Sequence, residues 1–180
     1  AFQKFELGLR LAQSTGNAGA AADALRGLAL QALNQHDRSL AQSLAQQSLA
    51  VAREAGNLWQ VGAALNVLGD LARAAGDYAA AAAFFAESGR MLRQVGDNNL
   101  LLIVECNAGW AALALGEEER ALALHQQVVR LAYPMRAVRT VSHALDGVAG
   151  ILVRSPLDSQ AARAVRLLGA DETMRLRAII

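Results

Sequence analysis

Leu65-Asn66-Val67-Leu68-Gly69-Asp70-Leu71-Ala72-Arg73-Ala74-Ala75-Gly76-Asp77-Tyr78-Ala79-Ala80-Ala81-Ala82-Ala83-Phe84-Phe85 holds the punctuation that decides the fold. Gly76 followed by Asp77 is a stop and then a start. Glycine accepts the left-handed backbone that ends a helix, and an Asp or Asn after it caps the next one. Upstream, Leu58, Val61, Leu65, Leu68 and Leu71 follow steps of three and four, which line one face of a helix. Gly69 and Ala81 are expected where two antiparallel helices cross, because only small side chains let backbones approach to about 8–10 Å. Phe85 is expected to fill the space beside that crossing, with Leu65 and Leu68 facing the preceding pair.

Working outward, the punctuation returns every 40 residues. Gly16-Asn17, Gly56-Asn57 and Gly96-Asp97 form one series, and Gly76-Asp77 and Gly116-Glu117 another; Pro156 continues the second. Gly69 recurs as Gly109, and Ala1, Ala41, Ala81, Ala121 and Ala161 share one column. Two stops per period mean two helices per period, and short links force antiparallel neighbours. The spacing predicts helices at about 1–15, 19–34, 38–55, 58–75, 78–95, 98–115, 118–133, 137–154 and 158–178. In the third repeat His125 stands in the column of Phe85; in the fourth, Ala149 and Pro156 replace the crossing and stop glycines, as suits a terminal cap.

The pattern Leu65-x-x-Leu68-Gly69-x-x-Ala72, then Gly76-Asp77-Tyr78-x-x-Ala81-x-x-x-Phe85, resembles the tetratricopeptide signature column by column. The fold class expected is therefore all-α: an α-α superhelix, or tetratricopeptide-like solenoid, of about four helix-hairpin repeats preceded by one extra helix. It is read as a single repeat domain over 1–180: a second helix of a truncated or capping repeat at 1–17, repeats at 18–57, 58–97 and 98–136, and a divergent C-terminal repeat and cap at 137–180. Ala1 and Phe5 align with Ala81 and Phe85, so the sequence opens on the second helix of a repeat. A fragment of a longer protein is the expectation, and a natural capping helix the alternative.

The 40-residue period resembles the repeat regions of large bacterial signalling ATPases. Ser48-Leu49-Ala50-Val51-Ala52-Arg53-Glu54-Ala55-Gly56-Asn57 looks like the helix ends common there. The tail from Ala161 through Leu167, Leu168, Gly169, Ala170 and Glu172 to Arg175 looks like the closing helix of LuxR-type, ATP-dependent transcriptional activators. The resemblance implies a regulatory repeat region of a larger bacterial transcriptional regulator or signalling protein in the cytoplasm. A small-molecule effector sensor of such a regulator is the alternative it leaves open.

Composition narrows the field. The longest apolar run, Tyr78 to Ala86, is nine residues, against the roughly 20 that a spanning helix needs. A net charge of +1 argues against nucleic acid or an anionic membrane as a partner for the whole molecule. The charge is uneven, however. From Arg120 onward there are nine arginines and four acids, a local excess of 9 − 4 = +5, which fits either solvated outer faces or a basic docking surface. The single cysteine, Cys106, excludes an internal disulfide.

Chemistry is sparse. With one lysine, Lys4, no phosphate-cradling Gly-x-x-x-x-Gly-Lys-Ser/Thr loop exists, and no His-x-x-x-His or Cys-x-x-Cys supports a metal. No cofactor is expected. Glu117-Glu118-Glu119 reads as a capping run. Cys106, His143 and Asp146 are the only set resembling a nucleophilic site, brought together by the 40-residue register, but a buried small apolar role for Cys106 is the plainer reading, and the chain is read as not an enzyme.

The resemblance implies a binding surface on the first helix of each pair. Its non-core face carries Asp23, Arg26, Asn66, Asp70, Arg73, Cys106, Trp110, His143 and Asp146, interleaved with Leu30, Leu33, Ala63, Ile103 and Leu113. Trp110 is the residue type that most often anchors a partner. Tetratricopeptide carboxylate clamps use Lys and Asn in these columns; only Asn66 matches. The expected partner is a protein or peptide, or another domain of the parent chain, with no direct nucleic acid or membrane binding. A homodimer through an exposed N-terminal apolar edge is a further expectation.

Overall fold

The computed structural model describes residues 2–154. Its helices are α1 (Phe2–Ser14), α2 (Ala18–Asn34), α3 (Arg38–Glu54), α4 (Leu58–Ala74), α5 (Tyr78–Val95), α6 (Asn98–Ala114), α7 (Glu118–Ala132) and α8 (Val138–Arg154). These match the periodic reading to within about a residue at each end. The expected helix at 158–178, Pro156 and the tail from Ala161 lie outside the described residues. No helix among the described residues is long and apolar enough to cross a membrane.

The turns repeat one construction. Gly76 sits at φ +82°; its N–H donates to the Arg73 carbonyl, and the Asp77 N–H reaches back to the Ala72 carbonyl at 2.9 Å. This satisfies the last carbonyls of α4. The Asp77 carboxylate then accepts the Ala80 N–H at 3.0 Å, capping α5. Asn17, Asp37, Asn57 and Asp97 cap α2, α3, α4 and α6 in the same way.

Two features of the turns were not anticipated. Positive φ recurs every 20 residues at 16, 36, 56, 76, 96, 116 and 136, and two of these positions hold His36 (φ 63°) and Arg136 (φ 53°) rather than glycine. Glu117, read as part of a capping run, stands at the N-cap position of α7, but its carboxylate makes no capping bond to the helix backbone. Its longer side chain pairs instead with Arg120 at 2.6 Å.

The contacts form two compact units, one spanning 1–101 and one beginning at Leu102. In the first, each helix from α1 to α5 packs on the next, and α2 also meets α4. Leu25, Leu28, Leu44, Leu49, Val61, Leu65 and Leu68 build its core. Ser48 donates to the Ala22 carbonyl at 2.8 Å and Ser88 to the Gly62 carbonyl at 2.7 Å, the same buried bond in successive repeats. Phe85 packs on Gly69 and Phe5 on Gly27, each so closely that a β-carbon on the glycine would overlap the ring.

In the second unit α7 packs on α8, and Leu102, Cys106, Val128, Val141, Ala144 and Leu145 form the larger cluster. His125 takes the place of the aromatic ring, fully buried, with Gly109 of α6 and Gly147 of α8 both against its imidazole. Val128 occupies the register of Ser48 and Ser88, also fully buried.

Candidate functional site

The nine residues expected on the binding face divide between the units. In the first, Asp23 and Arg26 stand one turn apart on α2 and pair at 3.1 Å. The Arg26 guanidinium also lies over the Trp59 ring of α4, 5.7 Å from its centroid, close enough for cation–π attraction. Trp59 in turn donates through Nε1 to Asp97 at 2.6 Å. The Leu100 N–H and the Trp59 indole hold the Asp97 carboxyl below its usual range. On α4, Asp70 pairs with Arg73 at 3.3 Å, and Asn66 is half-buried one turn before them. The charges of this face are therefore largely neutralised along each helix, by exposed pairs worth a few tenths of a kcal/mol each.

The second unit carries a different kind of surface. Cys106 is buried, with its Sγ 3.5 Å from His143 Nδ1 and 3.9 Å from His125 Nδ1. Trp110, one turn further along α6, is half-buried. Its ring meets His125 edge-on and His143 at a tilt, both with centroids 5.4 Å apart. His143 is exposed and Asp146 half-buried. Indole and imidazole thus make a small aromatic platform, reachable through His143 and seated on a buried histidine.

Cys106 and His143 do come together as the register implies, but the electrostatics oppose nucleophilic chemistry. Burial pushes the Cys106 thiol up to about 12, and the Asp146 carboxylate adds to the shift. The thiolate fraction at pH 7 is then on the order of 10⁻⁵. A sulfur that stays protonated and out of solvent is a core atom. Burial also drives His125 down to about 4, with the charge of His143 contributing, so this ring is neutral near pH 7. Its Nε2 has no hydrogen-bond partner. Among the described residues no group of three His, Cys, Asp or Glu side chains is placed to hold a metal ion.

The sequence reading missed Trp59, which joins α2 to the cap of α6, and the role of Gly147. A signal for the second was present: Phe5 and Gly27, and His125 and Gly147, are each 22 residues apart. At the N-terminal end of the first unit, Leu7 and Leu11 of α1 are both 63% exposed.

Residues 60–133 match the family model described as tetratricopeptide repeat. Among solved structures, a variant of a putative kinesin light chain from Podosopora anserina, with nearly identical TPR-like repeats, is similar over 98% of this chain and 86% of its own, at 16% identity and a TM-score of 0.72. A second structure of such repeats from the same organism covers 98% of this chain and 95% of its own, at 16% identity and a TM-score of 0.66. No curated protein matches the chain. The fold is accordingly all-α, built of sequential hairpins of the tetratricopeptide kind. Repeats of this kind typically mediate protein–protein interaction and are generally non-catalytic.

Proposed function

We propose that the chain is a non-catalytic, partner-binding repeat region of a larger bacterial transcriptional regulator or signalling protein, acting in the cytoplasm. Its partner is a protein or peptide segment, supplied by a separate molecule or by another domain of the same parent. The observation that carries the binding reading is the platform of Trp110 and His143. The half-buried indole packs on both core clusters of the second unit and stacks on His125, and the exposed imidazole beside it offers an aromatic contact surface. A rigid aromatic beside a polar side chain, as Trp110 is beside His143, is a usual form of interaction hot spot. The regulator context rests on the likeness of residues 48–57 and of the tail to such proteins.

Peptides selected against the chain from a random display library test this reading. Trp110→Ala is expected to weaken a selected peptide about 30-fold, the loss of one hot spot, while His143→Ala weakens it less. Helicity by circular dichroism should stay unchanged. Binding indifferent to both substitutions removes this face from consideration. A metabolite that raises the melting temperature of the chain in a thermal-shift panel replaces the peptide reading with that of an effector sensor, because a ligand held only by the folded state must stabilise it.

A further inference from the structure

The turn joining α7 to α8 differs from its counterparts in the repeat. At the turns 80 and 40 residues earlier, the positions of Leu131, Tyr133, Met135 and Arg136 hold Val51, Arg53, Ala55 and Gly56, then Met91, Arg93, Val95 and Gly96. Val51 and Met91 are half-buried, and Arg53 is tied to Glu87 at 2.9 Å. In the last turn Leu131, Tyr133 and Met135 are 50%, 66% and 45% exposed, so three large apolar side chains stand in solvent within five residues. Aromatic residues, Met and Arg are the types that interfaces concentrate.

Charge is arranged around them. Arg130, Arg136 and Arg139 flank the patch, all exposed, and none forms an ion pair among the described residues. From Arg120 to Leu145 the sequence contains no acid. Within the described part of the second unit, Glu105 is buried and accepts a bond from Gln127. Glu117, Glu118 and Glu119 lie at the other end of α7, about 20 Å away for a helix of this length. Asp146 lies two turns into α8. Arg130 complements the C-terminal dipole of α7, which accounts for one of the three guanidinium groups and leaves two.

Arg136 supplies an independent pointer. It holds the left-handed conformation at φ 53° where five of the seven equivalent positions are glycine, a placement that costs a side chain about 1 kcal/mol. Strain of this kind collects where a side chain is needed for contact rather than for stability.

We propose that the α7–α8 turn is a docking surface for an acidic protein segment that carries large apolar side chains. Its carboxylates meet Arg130, Arg136 and Arg139, and its apolar groups cover Leu131, Tyr133 and Met135. This proposal does not rest on the Trp110 reading.

The test is fluorescence anisotropy of the whole chain with short labelled peptides at moderate and high salt. One probe alternates glutamate with phenylalanine and leucine; its controls are the same peptide with glutamine for glutamate, polyglutamate, and phosphatidylserine vesicles. The first probe is expected to saturate, to weaken with salt, and to bind about tenfold better than either control peptide. Tyr133→Ala and Arg136→Gly should each weaken it several-fold. Arg136→Gly relieves strain, so its loss of binding is not a loss of fold. Absence of saturable binding overturns the proposal. So do equal binding of polyglutamate, preference for the vesicles, and retained binding in both turn variants.

Discussion

The edge of the Phe85 ring occupies the space where a β-carbon on Gly69 would stand. This one approach joins α4 to α5 at the centre of the first unit, with Phe85 almost wholly buried. It converts a glycine that weakens its own helix by roughly 1 kcal/mol into a site of close packing.

Gly69→Ala is therefore expected to destabilise the chain by about 1–3 kcal/mol, the usual cost of overpacking, although alanine is the better helix former. Phe85→Ala opens a cavity and should cost about 3–5 kcal/mol. Combining Gly69→Ala with Phe85→Leu should cost less than the sum of the single changes, because the smaller side chain makes room for the methyl. Urea unfolding of the four variants measures this, and simple additivity would contradict the packing described.

His125 introduces a pH dependence that a phenylalanine in its column would not. Its folded-state value, about 4, lies below the ordinary 6.5, so the unfolded chain takes up the proton first. The stability attached to the neutral ring is fully present above about pH 6.5, declines as the pH falls, and is exhausted once the pH passes about 4. The shift bounds the effect at about 3 kcal/mol. His125→Phe is expected to flatten the stability profile across that window, since Phe85 shows that this column admits the ring opposite a glycine. An unchanged slope would show that His125 is not the titrating group.

Arg136 and His36 are the two side chains held in left-handed turns. Replacing either with glycine should raise stability by about 0.5–1 kcal/mol, the relieved strain outweighing the added freedom of the unfolded chain. Gly56→Ala, the reverse change at an equivalent turn, should lower it by a similar amount; nothing lies near its missing β-carbon, so the effect is purely conformational. Thermal melts of the three variants settle the signs.

Cys106 is buried, and its thiol is held protonated by burial and by Asp146. In the native chain iodoacetamide should modify it at least about a hundredfold more slowly than in the urea-unfolded chain, where an ordinary thiol value returns. Cys106→Ala should cost little beyond its packing. Rapid native labelling would mean that the cluster around Cys106 opens to solvent.

Much of the fold was legible because its signals are local. Gly76-Asp77 states a helix stop and a cap within two residues, and its return at fixed intervals locates each turn without reference to anything distant. The pairing of Phe85 with Gly69 was legible too, since both lie in one hairpin and a small residue opposite a ring has one obvious use. The partner glycine on the following hairpin was harder to see. Phe5 with Gly27 and His125 with Gly147 share a spacing, but two repeats intervene: one holds Ala45 and Val67, where the larger side chain has changed sides, and the other Phe85 and Asn107, where neither is small, and together they hide the pattern.

The candidate surfaces were legible only as residue types on a helix face. Asp23, Arg26, Asp70 and Arg73 could be placed there by register, but not the ion pairs that neutralise them, nor the indole of Trp59 beneath Arg26. Those depend on rotamers and on which neighbouring helix supplies a ring. Glu117 failed as a cap because of one extra methylene, a matter of reach that no periodicity reports.

By itself the sequence determined the helices, their turns and their antiparallel order, because backbone conformation and helical periodicity are set by residues a few positions apart. Only the tertiary structure decided that Cys106 is a core thiol, that His125 is a neutral wedge between two glycines, and that Tyr133 and Met135 stand in solvent. Burial, and the protonation that follows from it, depends on what distant segments bring to the same place.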